Sequence, residues 1–440
     1  MTSRMGAGFA VAALLALGGC GIFGGGKPKT PVTGNRVPIL LAEDAAQVDE
    51  TIAGVQVLLP APEANGEWTQ PGGNAAKSMG HLALGATPAL AWTASIPSGT
   101  NRGKLASAPV VSGGRIFAID ANGTVHAFAA DTGVKAWSAE SYDGEKNRNS
   151  LFGGGVSVDG ERLYATNGVG DVVAMNVADG TVLWRAKPGG PLRGSPSIFA
   201  GQVYVMSQDN QLIALNAADG TVAWTASGAL EASGVYGVAA PAGAQGTVVA
   251  GFSSGELSAY RYENGRVVWQ DTLSRTSIST SVSSLADIDA DPVIDAGRVY
   301  AIGQGGRMVA LELTTGQRIW EQSIAGISTP YVAGEWIFVV TDDSRLFCLA
   351  RSNGRVRWIK QLRRYRDEED KKDPLAWQGP VLAGGRLVLV NSRGGMVYVS
   401  PESGEIQTTL NTGYRFGLPP VVAGNTLYTL SDGGRLSAYR

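Results

Sequence analysis

An all-β, eight-bladed β-propeller built of four-stranded antiparallel blades is the fold that this 440-residue sequence predicts. Three observations predict it. A polar turn with glycine, followed after three residues by tryptophan, recurs six times, at intervals of 38 to 51 residues; a period near that value on short strands marks one propeller blade per repeat. Between the tryptophans lie paired runs of alternating apolar residues broken by Gly, Asn or Asp, which read as hairpins. The 61 glycines punctuate those hairpins, where turns need positive φ, and do not form triplets or low-complexity runs.

Residues 1–19 carry Arg4 and then an apolar stretch from Met5 to Leu17 with no acidic residue. That is the pattern of a secretory signal, too short to remain as a membrane-spanning helix. It ends Leu17-Gly18-Gly19-Cys20, which resembles the bacterial lipobox, where the cysteine is lipidated and the signal is cut before it. The alternative is an ordinary secretory signal with an incidental cysteine. Gly21 in the second mature position implies, by the sorting rule of such lipoproteins, the periplasmic face of the outer membrane. Residues 20–67, rich in Gly, Pro, Ala and acids, read as a lipidated cysteine and flexible tether with a short helical stretch near 42–52. The propeller is assigned to 68–440.

Eight hairpins begin near Ala106, Gly153, Ser195, Gly237, Asp291, Ser328, Gly379 and Leu418. Their outer strands carry Trp137, Trp184, Trp224, Trp269, Trp320 and Trp358, with Thr408 standing in for the aromatic in a degenerate seventh. The last hairpin has no such strand after it, whereas Leu90-Ala-Trp92-Thr-Ala-Ser precedes the first hairpin. Docking the Trp92 strand beside the last hairpin completes eight blades and removes the open edges.

The repeated phrase, as in Ala214-Leu-Asn-Ala-Ala-Asp219-Gly220 through Trp224, resembles the tryptophan-docking motif of propellers related to pyrroloquinoline-quinone (PQQ) dehydrogenases. In that superfamily each tryptophan packs on a peptide plane of the next blade, and a buried indole N–H needs an acceptor. Eight blades, a lipobox and little beyond the propeller together resemble the BamB family of outer-membrane protein assembly factors. The resemblance implies a non-catalytic scaffold of the β-barrel assembly (BAM) complex. It would dock on the periplasmic domains of the Omp85-type, BamA-like barrel beside other BAM lipoproteins, with unfolded outer-membrane proteins as further ligands. Leu285-Ala-Asp287-Ile-Asp289-Ala-Asp291 follows the family's Asp-x-Asp docking segment, so Asp287 and Asp289 carry over as partner-binding residues. The family's second docking loop is basic; here Val235 and Tyr236 occupy it without an arginine.

The rival reading is a PQQ-dependent periplasmic dehydrogenase. It needs a Ca²⁺ held by several oxygen ligands, and many members carry a disulfide between adjacent cysteines; this chain has two cysteines, Cys20 and Cys348, far apart. The two histidines, His81 and His126, suit neither a zinc site nor a catalytic triad. His126 reads as a structural strand residue and His81 as a cap on the ring edge. Asp287, Asp289 and Asp291 mimic the start of a calcium loop, but Pro292 and Arg298 stand where it needs glycine and glutamate. Partner docking and solvated loop acids are the other two readings of that segment. No catalytic residue, cofactor or metal is expected. A net charge of −2 argues against a nucleic-acid partner, and the mixed-sign stretch 363–373 reads as a solvated, mobile loop. A lone envelope propeller binding glycan is a third functional class.

Overall fold

The computed structural model describes residues 46–98, 104–144, 153–192, 194–230, 239–273 and 286–440. Cys20, Val235 and Tyr236 lie outside these residues, as does the signal segment. Among the described residues there are eight four-stranded antiparallel sheets, arranged as the blades of a ring, and no helix. Blade 1 is built from Val110–Ser112, Arg115–Ile119, Thr124–Ala129 and Lys135–Glu140, in sequence order from the axis outward. Blades 2 to 7 repeat this order, with first strands at Val156–Asp159, Ser197–Phe199, Ala242–Ala244, Val293–Asp295, Tyr331–Ala333 and Trp377–Ala383.

Blade 8 takes three strands from the end of the chain, Val421–Ala423, Thr426–Leu430 and Arg435–Tyr439. Its fourth strand is Leu90–Ser95, antiparallel to the third with Trp92 opposite Ala438. Backbone bonds in both directions between Ala89 and Arg440 extend that pairing. The expected closure is therefore observed.

The core lies within and between blades, because second and third strands are buried on both faces while fourth strands are exposed apart from their tryptophan. Each tryptophan stands opposite a small residue of the third strand: Ala127, Ala174, Ala214, Ala259, Ala310, Ala438 or, for Trp358, Cys348. This pairing explains Cys348, which fills an alanine slot and is fully buried. Its thiol is pushed up chiefly by that burial.

Two stretches differ from expectation. Residues 46–67, assigned by composition to the tether, lie against the ring, and over 46–52 there is no helix but an isolated bridge at Val48 followed by a turn at 50–54. Val48 bridges Val356, Arg357 donates to the Val55 carbonyl, and Glu402 accepts from Val57 N at 2.7 Å. Residues 363–373 contain an ordered two-stranded hairpin, Tyr365–Asp367 with Lys372–Pro374. Trp377 Nε1 pins its base by donating to the Arg363 carbonyl at 2.9 Å.

Candidate docking face and axial cavity

Antiparallel alternation gives the ring two unlike faces. One carries the turns between first and second strands and the glycine turns between third and fourth strands. The other, here the upper face, carries the turns between second and third strands and every connection from one blade to the next. Among the described residues, the connection 362–376 and the lead-ins 153–155, 239–241 and 286–292 belong to the upper face.

Seven seams between blades share one device. The indole N–H of Trp92, Trp137, Trp184, Trp224, Trp269, Trp320 and Trp358 donates to Ala130, Val177, Ala217, Tyr262, Leu313, Arg351 and Pro401, respectively, at 2.7–3.2 Å. Each acceptor belongs to the next blade. The indole ring packs on that blade's turn glycine: a Cβ on Gly316, whose φ is +70°, would lie 2.5 Å from Trp269 Cγ. Only glycine combines that conformation with that approach. The tryptophans are thus structural staples.

The Asp287–Asp291 segment crosses from blade 4 to blade 5. Asp287 is 1 % exposed, so its carboxyl is buried within the ring. Its carbonyl accepts from Gln304 N at 2.9 Å, and Ile288 fills the space over Gly251, where a Cβ would come within 2.5 Å. Asp289 is half-buried and lines a cavity on the ring axis. Asp291 Oδ1 accepts from Ala240 N at 2.7 Å, and its own N–H donates to Thr329 Oγ1. The segment therefore ties blades 4, 5 and 6 together, with Asp289 the less buried member of the predicted pair.

The axial cavity measures about 260 Å³ and is walled by the lead-ins to the first strands, including Ser107, Ser195, Ser328 and Leu418. Its floor is Trp68, Pro71, Gly72 and Lys77 of the N-terminal segment. Lys77, 4 % exposed, donates to Ser197 Oγ at 3.0 Å. Burial lowers its ammonium to about 8, opposed by the nearby Asp291; burial in turn raises the Asp291 carboxyl, with Lys77 acting against it.

Below the cavity the N-terminal segment runs along the inner edges of the blades. Trp68 pairs with Val111 in both directions. Val158 N donates to Thr69 O, Gly243 N to Ala75 O and Ile294 N to Ala76 O. The Gln70 amide takes the place of a strand residue, bonding both Ile198 N and Ile198 O. The sequence reading missed this element. Its signal was the proline before most first strands (Pro109, Pro196, Pro241, Pro292, Pro330 and Pro420), which marks an inner rim where a backbone donor is dispensable.

The histidines are structural. His126 Nε2 meets Asp120 Oδ2 at 2.9 Å inside blade 1. His81 Nε2 accepts from Gly385 N at 2.8 Å, which leaves Nδ1 to donate to the Pro60 carbonyl at 2.7 Å. Among the described residues, no group of three or more His, Cys, Asp or Glu side chains is assembled to hold a metal ion.

A family model described as outer membrane protein assembly factor BamB matches residues 82–149 and 121–360. The BamB proteins of Shigella dysenteriae and Escherichia coli K12 are 32 % and 31 % identical, each aligned over 79 % of this chain and 88 % of its own length. Among solved structures, BamB from Moraxella catarrhalis superposes with a TM-score of 0.68 at 18 % identity, covering 80 % of this chain and 99 % of that one. The quinohemoprotein alcohol dehydrogenase of Comamonas testosteroni superposes with a TM-score of 0.64 at 13 % identity, covering 89 % and 82 %; at that identity the likeness is one of fold.

Proposed function

The chain belongs to the family of the outer membrane protein assembly factor BamB, and from that premise we propose that it is a non-catalytic scaffold of the outer-membrane β-barrel assembly complex. Family membership carries this reading. In it, the upper face docks on the periplasmic domains of an Omp85-type barrel beside the other lipoproteins of the complex, and Cys20 supplies a lipid anchor at the periplasmic side of the outer membrane. Unfolded outer-membrane proteins would be further ligands, paired by backbone with strand edges of the ring. The ring contributes rigidity: seven staples hold neighbouring blades at fixed spacing.

Within that face Asp289 is the contact and Asp287 the positioning residue. A half-buried carboxylate lining the cavity can accept a charge-assisted hydrogen bond from a partner, whereas the Asp287 backbone and Ile288 hold the segment to blades 4 and 5. Val235 and Tyr236, outside the described residues, are proposed as an apolar supplement.

The dehydrogenase reading rests on shared fold. PQQ with calcium would require several converging oxygen ligands. The carboxylates lining the axial cavity are Asp289 and Asp291, and Asp291 faces Lys77 and the Ala240 amide. The cavity wall is otherwise dominated by proline, serine, glycine and aliphatic residues. These residues do not fit the cofactor.

The test is a binding titration of the purified ring against the isolated periplasmic domains of its cognate barrel. Asp289→Ala should weaken binding by at least about tenfold, the loss of one charge-assisted hydrogen bond of roughly 1.5–3 kcal/mol, while thermal stability is unchanged. Wild-type affinity in that variant would remove Asp289 from the interface; no binding by the wild type would remove the docking reading itself.

A further inference from the structure

We propose that residues 63–86 form a clasp that closes the seam between blades 7 and 8, where the tryptophan staple is missing. Two facts define the gap. The stapling position of blade 7 is Thr408, opposite Tyr398. Blade 8 draws its fourth strand from Leu90–Ser95, so it has no glycine turn between third and fourth strands to receive an indole.

The N-terminal segment occupies this gap in two passes. The later pass pairs with blade 7: Leu82 N donates to Leu382 O at 3.1 Å, and Gly384 N donates to Leu82 O at 2.8 Å. Gly385 N is bound by His81 Nε2. The earlier pass pairs with blade 8: Asn65 Nδ2 donates to Val422 O at 2.7 Å, and Gly424 N donates to Asn65 O at 2.6 Å. The two passes are joined to each other, since Glu63 N donates to His81 O and Ala83 N to Glu63 O, both at 2.8 Å. Hydrogen bonds thus run without a break from the inner edge of blade 7 to that of blade 8.

A third set of contacts shows that the segment replaces the missing turn. In blade 1, Arg115 opens the second strand and donates to the Val177 and Ala178 carbonyls in the turn of blade 2. Arg162 and Arg298 reach the equivalent Ala217 and Arg351 carbonyls of blades 3 and 6. Arg386 holds the same place in blade 7, and its acceptors are Gly85 and Ala86. The end of the clasp, Gly85 and Ala86, therefore stands where every other blade has its turn.

The fit is close. Leu82 is 2 % exposed and Leu84 8 %. At Gly384, with φ +56°, a Cβ would lie 2.4 Å from the Leu84 carbonyl, so the approach of the clasp requires glycine.

Hydrogen exchange on the full-length protein tests the proposal. In Asn65→Ala/His81→Ala, amides of Arg386–Asn391 and Thr426–Leu430 should exchange at least about tenfold faster, with Gln202–Met206 of blade 3 unchanged. Arg386→Gln, which removes the contact from the blade side, should give the same pattern more weakly, and it serves if the double variant does not fold. Acceleration spread evenly over all blades, or none at the seam in either variant, would overturn the clasp.

Discussion

The seam between blades 4 and 5 and the seam between blades 7 and 8 solve one problem in different ways. The first uses a staple local in sequence, in which Trp269 reaches the Leu313 carbonyl 44 residues on. The second uses a clasp joined across the length of the chain, His81 meeting Gly385 some 304 residues away. A repeat can copy a local device into every blade, but a ring made from one chain has a seam where its ends meet. There the repeating device fails and non-repeating residues must complete the closure.

The comparison can be broken most forcefully at the staple. Trp269→Ala removes a side chain that is 7 % exposed together with its hydrogen bond, and should cost about 3–5 kcal/mol, read by denaturant unfolding. At the clasp, Leu82→Ala should cost about 2–3 kcal/mol in the same assay, less because its backbone bonds to Leu382 and Gly384 survive. A cost below that of an exposed substitution would contradict the burial seen at Leu82.

Lys77 sharpens the contrast through pH. Its folded pKa, near 8, lies below the ordinary lysine value of 10.5, so above pH 8 the unfolded chain holds more protons than the folded one. Stability should therefore rise as pH increases from 8, followed up to about 9.5, before the tyrosines titrate. Lys77→Met should lack that rise. The smallest effect is expected from Thr408→Trp: with no glycine turn in blade 8 to receive the ring, the change should stay within about 0.5 kcal/mol. A gain well above that would mean the seam still has a vacant staple site.

The two seams also explain what could be read from the sequence. Staples repeat, and each sets a tryptophan four residues after a turn glycine, so the blade count and the closing strand Leu90–Ser95 were legible. The clasp uses backbone groups and the Gln70 amide to pair with inner strands, which leaves no apolar period, and its glycines, at 66, 72, 73, 80 and 85, do not follow the repeat. Asp287 was misleading for a related reason. Alternating acids suggest a solvated loop, but the segment is sandwiched between Phe252 of blade 4 and Gln304 of blade 5, and Ile288 is the residue that anchors it. The hairpin at 363–373 was hidden by charge, because its order comes from strand pairing and from Trp377 beneath it, outside the charged run.

The most direct measurement of the account is affinity purification of the tagged full-length protein from solubilised native membranes, with Asp289→Ala and Asp287→Ala in parallel. The account predicts an Omp85-type barrel recovered with the wild type and lost with Asp289→Ala, and an Asp287→Ala protein whose thermal unfolding falls together with its recovery. No barrel recovered with the wild type, under conditions where the ring remains folded, would contradict the scaffold function.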